Sequence, residues 1–394
     1  MPDSTQLSQL NGNWNYPTNI RFGAGRINEL ADICQQLQFK KPLLVTDKGL
    51  AKLAMTGDIL RQLTDAGLQC ELFGEIKPNP TGNNIIAGAE YYHWGNHDSV
   101  IALGGGSALD AGKAIALMVG QTRPLWDFED VGDNWQRVNE QGMAPVIAIP
   151  TTAGTGSEVG RASVIVDEQQ RNKKLIFHPN MLPQMVLADP ALTAGLPAHI
   201  TAATGLDALV HNLEAYCAPG YHPMADGIAL EAMRLIKQWL PKAVNDGNDL
   251  VARSHMMVAS TMGATAFQKG LGGVHALAHP LGAIFDAHHG LLNAILLPYV
   301  LIRNREAIED KISEIAHHLR LEQANFAGFM TWLTEFSQAL KIPTTLSDIG
   351  INDEHHHLIG EQALLDPSAG GNPIALTAQD YSEIFIGAVN GTGK

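Results

Sequence analysis

The sequence predicts a parallel α/β domain followed by an all-helical domain, on three observations. Through the first half, short apolar runs alternate with stretches of helical spacing. Two of those runs empty into loops rich in glycine and hydroxyl side chains. Past Asp189, strand-like runs give way to Ala, Leu, Met and His at helical spacing. At 394 residues, and with domains of about 100–200 residues as the rule, two domains are expected. The boundary is placed in the proline-marked stretch 190–197, giving domains 1–193 and 194–394.

The first strand is KPLLVTD (41–47), an apolar run ended by polar residues, and residues 50–66 then space their apolar positions as a helix does. The alternation repeats at 69–76, at 85–94, and at 99–103 followed by a helix through Met118. Continuously apolar strands separated by helices belong in a parallel sheet covered on both faces. Such sheets bind ligands at the carboxyl ends of their strands.

Residues 99–116, SVIALGGGSALDAGKAIA, read as a strand, a bare turn and a helix N-terminus. Three glycines admit a pyrophosphate to the backbone amides, and the helix dipole adds partial positive charge there. Ser107 and Asp110 have capping-box spacing, so a tight turn with a well-capped helix is the plainer alternative. In VIAIPTTAGTGSE (146–158) a second strand ends in glycines and hydroxyls, which can donate to phosphate or ribose oxygens. Two such loops in one sheet favour nucleotide binding. Asp47 at the end of the first strand can accept from an adenosine ribose and repel a 2′-phosphate, which favours NAD over NADP. A turn or cap role for it is the alternative.

In the second half, GLDALVHNLE (205–214) sets Asp207 and His211 at i and i+4 on one face of an apolar helix. A buried carboxylate beside a buried imidazole needs a partner. In VHALAHPLGAIFDAHHG (274–290), His275 and His279 repeat that spacing, Pro280 and Gly282 are expected to interrupt the helix, and His288 and His289 follow in an expected turn. Two helices and one turn can then surround a cation with one carboxylate and three imidazoles, a donor set suited to Fe²⁺ or Zn²⁺. The spacing leaves open which of the four histidines stays off the cation.

Composition narrows the partners. A net charge of −14 with no Lys/Arg-rich block disfavours nucleic acid and anionic membranes. The longest apolar stretch, 291–302, contains Asn293 and Pro298 and falls short of the roughly 20 residues of a spanning helix. Cys34, Cys70 and Cys217 are too few and scattered for a disulfide framework, and the polar N-terminus lacks the features of a leader. The expected location is the cytoplasm, and residues 387–394 are expected to fray.

With these motifs in view, the chain resembles the iron-containing (group III) alcohol dehydrogenase family. That family is marked by a GGGS loop after a strand, a TTxGT loop, a GxDAxxH helix and an HxxxHPLG segment closing with HG. Here they stand at 104–107, 151–155, 205–211, 275–282 and 289–290, and the likeness runs from about Phe22 to about Ala388. The resemblance implies a Rossmann-like dinucleotide-binding domain joined to an all-helical metal-binding domain, an architecture shared with dehydroquinate synthase, with the site in the cleft between them. It implies that Asp207, His211, His275 and His289 bind the metal, Fe²⁺ first and Zn²⁺ or another divalent ion otherwise. It places His279 near the nicotinamide, as a proton-relay or positioning residue, and gives His288 no role. Asp47, Asn79, Gly105, Gly106, Ser107, Thr151, Thr152, Thr155 and Lys173 (or Lys174) fall where the family contacts NAD(P).

The implied activity is hydride transfer between nicotinamide and a primary alcohol or aldehyde held by the metal, in a homodimer or higher homo-oligomer. Phe267 and Lys269, in FQKG (267–270), are the candidate substrate contacts. Facing the site, Lys269 would recognise the carboxylate of an ω-hydroxy acid such as 4-hydroxybutyrate; otherwise it is solvated at the rim. Two alternatives stand: a dehydroquinate synthase-like lyase that uses NAD transiently, and a non-enzymatic nucleotide or metal sensor. The lyase's polyanionic substrate calls for basic residues around the metal, and none cluster near Asp207 or His275.

Overall fold

A computed structural model describes residues 12–14 and 18–393, so most of the N-terminal stretch discussed above lies outside the described residues. The chain divides into two compact units. The first runs to Gly195 except for Ala153–Thr155, which cluster with the second unit, Leu196 onward.

Among the described residues the first unit holds nine strands: β1 (Gly12–Trp14), β2 (Ile20–Phe22), β3 (Pro42–Asp47), β4 (Glu71–Ile76), β5 (Ser99–Gly104), β6 (Val146–Pro150), β7 (Ala162–Asp167), β8 (Asn172–Phe177) and β9 (Met185–Ala188). Its helices are α1 (Leu30–Gln36), α2 (Ala54–Asp65), α3 (Gly82–Gly95) and α4 (Gly106–Met118). Seven strands form one sheet in the order β1-β2-β9-β6-β5-β3-β4, parallel except for β1 against β2. Strands β5 and β6 are buried along their whole length, as a sheet covered on both faces requires. On one face Leu44, Ile101, Leu103, Ile147 and Ile149 pack with Leu30, Ile33, Ile59 and Leu63 of α1 and α2. The alternate residues turn to the other face, where Gly112 of α4 lies against Ala102.

This order creates a switch point. Neighbours β3 and β5 send the chain to opposite sides of the sheet, β3 to β4 and β5 to β6, so their carboxyl ends flank the crevice where open α/β sheets bind ligands. Asp47 ends one of these strands and the glycine loop begins at the end of the other. The crossover from β6 to β9 carries a separate hairpin, β7 with β8, in place of an α-helix. Lys113 of α4 ties the segment leading into that hairpin. Its buried ammonium donates to the carbonyls of Ser157, Gly160 and Ala162 and pairs with Asp110 at 3.3 Å. Burial pulls the Lys113 pKa down, opposed by the Asp110 charge.

That network rules out the alternative of a capping box at the head of α4. The N-cap residue is Gly105, without a side-chain cap, and the Ser107 hydroxyl donates to the carbonyl of Pro78. Asp110 instead accepts from Ser157 Oγ and the amide of Val164. The same two residue types are consumed by contacts far along the chain. Smaller shifts occur in the flanking helices. The helix expected over 50–66 starts at Ala54 after a 3₁₀ turn, and α3 starts at Gly82 because Thr81 and Asn84 form a capping box.

The second unit consists of α5 (Ala198–Cys217), α6 (Pro223–Asn245), α7 (Leu250–Ala266), α8 (Gly273–Phe285), α9 (His289–His318), α10 (Phe326–Ala339), α11 (His356–Leu365) and α12 (Ala378–Asn390). Helix α5 is buried at every position from Thr201 to Cys217, so it has no solvent face. Its last carbonyls, of Tyr216, Cys217 and Ala218, accept from the Lys311 ammonium at 3.0, 3.1 and 3.1 Å. A cation at that end also complements the helix dipole.

Three local expectations are corrected here. Helix α8 runs through Pro280 and Gly282, because close burial of residues 273–278 and 280–282 outweighs the roughly 3 kcal/mol that an internal proline costs. His289 opens a 30-residue helix rather than sitting in a turn, since His288 accepts the amide of Leu291 through Nδ1 and so acts as N-cap. The C-terminus stays helical to Asn390, where Gly391 closes α12 in the left-handed conformation. Among the described residues no helix is long and apolar enough to cross a membrane.

The α4 contact yields a test of the sheet packing. A Cβ on Gly112 would lie 2.5 Å from that of Ala102, so Gly112→Ala forces helix and sheet apart and should cost about 1–3 kcal/mol, measured as a lower Tm.

Candidate metal centre

Three helices bring one carboxylate and three imidazoles together. Asp207 and His211 lie one turn apart on α5, His275 lies in the first turn of α8, and His289 is the first residue of α9. One donor atom from each lies within 4.8 Å of all the others. Four donors held tetrahedrally at about 2.0–2.2 Å from one cation lie about 3.3–3.6 Å apart, so drawing the farthest pair together by about an ångström closes the set. The residues therefore fit a divalent ion, and the mixed oxygen and nitrogen donors suit Fe²⁺ or Zn²⁺. Asp207 and His275 are each 1% exposed, which makes a compensating charge necessary.

The imidazole tautomers follow from what holds the other ring nitrogen. His211 Nδ1 donates to the carbonyl of Gly154 at 3.2 Å and His275 Nδ1 donates to Glu214 at 2.6 Å. In both rings Nε2 is left with its lone pair for a metal. Burial draws the His211 pKa down to about 4, opposed by Asp207, which keeps the ring neutral. At His275 burial also lowers the pKa, but Glu214, Asp207 and Asp366 together outweigh it and raise it. Gly290 is required beside the ligands, because a Cβ there would stand 2.7 Å from the Ala203 carbonyl and 3.0 Å from Asp207 Cβ.

Three side chains that contact the candidate ligands or His279 were not singled out in the sequence. Glu214, one turn beyond His211, holds His275 and also accepts the amides of Gly272 (3.0 Å) and Val274 (2.7 Å) at the start of α8. Asp366 accepts from His279 Nδ1 at 2.7 Å. Burial pushes the Asp366 pKa up, but His279 and Ser368 outweigh it and hold the carboxyl below its ordinary value. Asn293 Nδ2 lies 2.6 Å from Asp207 Oδ1 and 3.1 Å from Nε2 of both His275 and His289. The i+7 spacing of Glu214 from Asp207 was the one available signal.

The remaining expected residues separate. His279 stays out of the donor group, and its ring stacks on His289 with centroids 5.4 Å apart. Phe267 lies beside His211, ring centroids 5.2 Å apart. Lys269 is corrected: its side chain is 3% exposed, paired with Asp226 at 2.5 Å, and donates to the Tyr216 carbonyl. An ammonium so engaged is neither solvated nor presented to a substrate carboxylate.

Most of the expected cofactor contacts lie at or just after strand ends of the first unit. One Asp47 oxygen accepts the amides of Gly49 and Leu50, closing its own turn, and the other faces Gly104. Gly105 lies against the Thr152 side chain, the Thr151 amide donates to the Gly104 carbonyl, and Ser107 reaches the carbonyl preceding Asn79. Lys174 is buried against Glu129, Asp167 and the Trp126 ring. Strand alternation turns Lys173 to the opposite face. Thr155 belongs to the second unit.

Glu214→Gln keeps the size of the side chain but removes the charge that fixes His275. Metal affinity should fall about 10- to 100-fold, measured by competition with a chromophoric chelator.

Two family models match the chain: that for iron-containing alcohol dehydrogenase over residues 17–190, and that for the C-terminal part of the Fe-containing alcohol dehydrogenase family over 201–389. The chain is 37% identical to 4-hydroxybutyrate dehydrogenase of Cupriavidus necator over 382 residues, covering 94% of this chain and 98% of that enzyme. It is 33% identical to the NAD-dependent methanol dehydrogenase of Bacillus methanolicus, covering 96% of this chain and 100% of the relative. A crystal structure of 1,3-propanediol oxidoreductase superposes with a TM-score of 0.87 at 35% identity, covering 94% and 97% of the two chains. With both halves matched and the donor set complete, the chain belongs to the iron-containing alcohol dehydrogenase family.

Proposed function

We propose that this protein catalyses the reversible, NAD-linked oxidation of a small primary alcohol to its aldehyde, with a divalent ion, Fe²⁺ first, held by Asp207, His211, His275 and His289. The observation that carries the reading is the convergence of those four donors inside the helical unit of a family member. When bound, such an ion polarises a hydroxyl or carbonyl oxygen, the effect that lowers the pKa of water from about 15.7 to about 7. Neither the lyase nor the sensor alternative is favoured by the relatives' activities.

The chain's own residues supply the rest. Glu214 keeps His275 in the tautomer that offers Nε2, and the Gly154 carbonyl does the same for His211. Asp366 holds His279 by Nδ1, leaving its Nε2 to take up and release the hydroxyl proton. Phe267 supplies an apolar wall beside His211. On the nucleotide side, the N-terminus of α4 has no side-chain cap, which leaves its amides for a pyrophosphate. Asp47 disfavours a 2′-phosphate, supporting NAD over NADP. Asn79, Gly105, Gly106, Ser107, Thr151, Thr152, Thr155 and Lys173 complete the nucleotide contacts in this reading.

Similarity to an enzyme named for 4-hydroxybutyrate makes that ω-hydroxy acid the first substrate to try. The cytoplasm is the location this reading favours, in keeping with three cysteines that form no disulfide. A homodimer or higher homo-oligomer is the assembly implied by the family.

The deciding experiment loads the metal-depleted protein with Fe²⁺ under anaerobic conditions and follows NADH formation across a panel of primary alcohols including 4-hydroxybutyrate. Turnover that requires the metal is expected, and His279→Gln should keep stoichiometric metal while kcat falls about 10²–10⁴-fold. Metal-loaded protein that turns over none of the panel would overturn the reading. Lys269→Ala should lower kcat/KM by the same factor for a plain alcohol and its carboxylated analogue. Its main effect should be on thermal stability, a loss of about 1–3 kcal/mol, because Asp226 is partly exposed and water takes up part of the charge left behind.

A further inference from the structure

We propose that Asn293 is a positioning residue of the metal centre: its amide nitrogen spans the three ligand-bearing helices and sets Asp207 relative to the imidazoles. The inference rests on the metal-dependent reading above and adds a residue to it. Asn293 lies one turn after His289 on α9, so the two side chains share a face. From there Nδ2 lies 2.6 Å from Asp207 Oδ1 on α5, and 3.1 Å from Nε2 of His275 on α8 and of His289 on its own helix. One side chain thus meets three of the four donor residues.

The surroundings argue against a space-filling role. Asn293 is 0% exposed and sits in the apolar run LLNAILL (291–297), where leucine would fill a similar volume and favour the helix more. Its Oδ1 is buried with no hydrogen-bond partner among the described residues, a costly arrangement for a carbonyl oxygen. The amide is therefore kept for its nitrogen. The reverse orientation would set Oδ1 against Asp207 Oδ1, acceptor against acceptor, at the same 2.6 Å. The amide donates to Asp207 Oδ1 and so holds the carboxylate in place without adding charge to the site. Helices α5 and α9 already pack closely at Gly290, and the bond from Asn293 to Asp207 adds a directional tie between the ligands that they carry.

The test uses full-length Asn293→Leu, which keeps volume, and Asn293→Ala, which removes the donor without crowding. Metal affinity is measured by chelator competition, the visible absorption of the Co²⁺-loaded protein reports ligand geometry, and thermal unfolding in EDTA reports the fold alone. Both variants should bind metal about 10- to 100-fold more weakly than wild type, with a shifted Co²⁺ spectrum and a nearly unchanged unfolding midpoint in EDTA. Affinity within twofold of wild type in either folded variant would overturn the proposal, as would losses that only track a lowered midpoint. Wild-type protein is measured alongside: if it fails to bind one metal per chain, the metal-dependent reading itself fails, whereas strong wild-type binding matched by the variants removes only the role of Asn293.

Discussion

The structure of the site depends on one constraint: Asp207 is a carboxylate on a helix that has no solvent face. Within α5 every residue from Thr201 to Cys217 is buried, and an ionised group in such surroundings is tolerated only when it is paired and hydrogen-bonded. Asp207, His211 and Glu214 fall at i, i+4 and i+7, so they form one stripe along α5. The stripe meets the start of α8, where Glu214 takes two backbone amides and His275 together. A carboxylate at a helix N-terminus is stabilised by the unsatisfied amides and the dipole. Thus the group that orients His275 also determines where the helix carrying His275 begins.

In the α/β unit the same economy of groups appears at the carboxyl ends of the strands. Lys113 and Asp110 are buried in α4 and spend their hydrogen bonds on the segment that leads into β7. That frees the first turn of α4 from any side-chain cap and holds the chain after the TTAGT loop in place. The glycine loop and Asp47 then stand on rigid strand ends at the switch point, where backbone amides are presented without having to reorganise.

Much of this was legible in the sequence because it is local. Apolar runs such as VIALG and VIAIP announce doubly covered strands, and the i, i+4 pairs Asp207/His211 and His275/His279 announce shared helix faces. What escaped was set by partners far along the chain. Glu214 meets His275 at a separation of 61 residues, Asp207 meets Asn293 at 86, and His279 meets Asp366 at 87. No spacing rule reaches that far. The errors have the same origin: Ser107 and Asp110 satisfy the capping-box pattern but are claimed by Pro78, Ser157 and Val164. Lys269 looked free because Asp226 lies on another helix, and Pro280 looked like a helix break because its tight burial could not be read from its neighbours. In each case tertiary contact overrode a sound local preference.

Two carboxylate–imidazole pairs occur within one site, and placement alone gives them different work. Glu214–His275 and Asp366–His279 have nearly the same geometry, 2.6 and 2.7 Å through Nδ1 in each case. His275 lies in the first turn of α8, where the start of that helix is clamped by Glu214, and its Nε2 is brought to 4.0 Å from Asp207. One turn later His279 falls outside the donor group and stacks its ring on His289 instead. An imidazole held by a carboxylate becomes more basic at its other nitrogen. Beside Asp207 that effect would strengthen a metal ligand; one turn further on, His279 lies outside the donor group with Nδ1 held by Asp366. In the proposed reading, the helical repeat of α8 separates cation binding at His275 from proton transfer at His279 along a single helix.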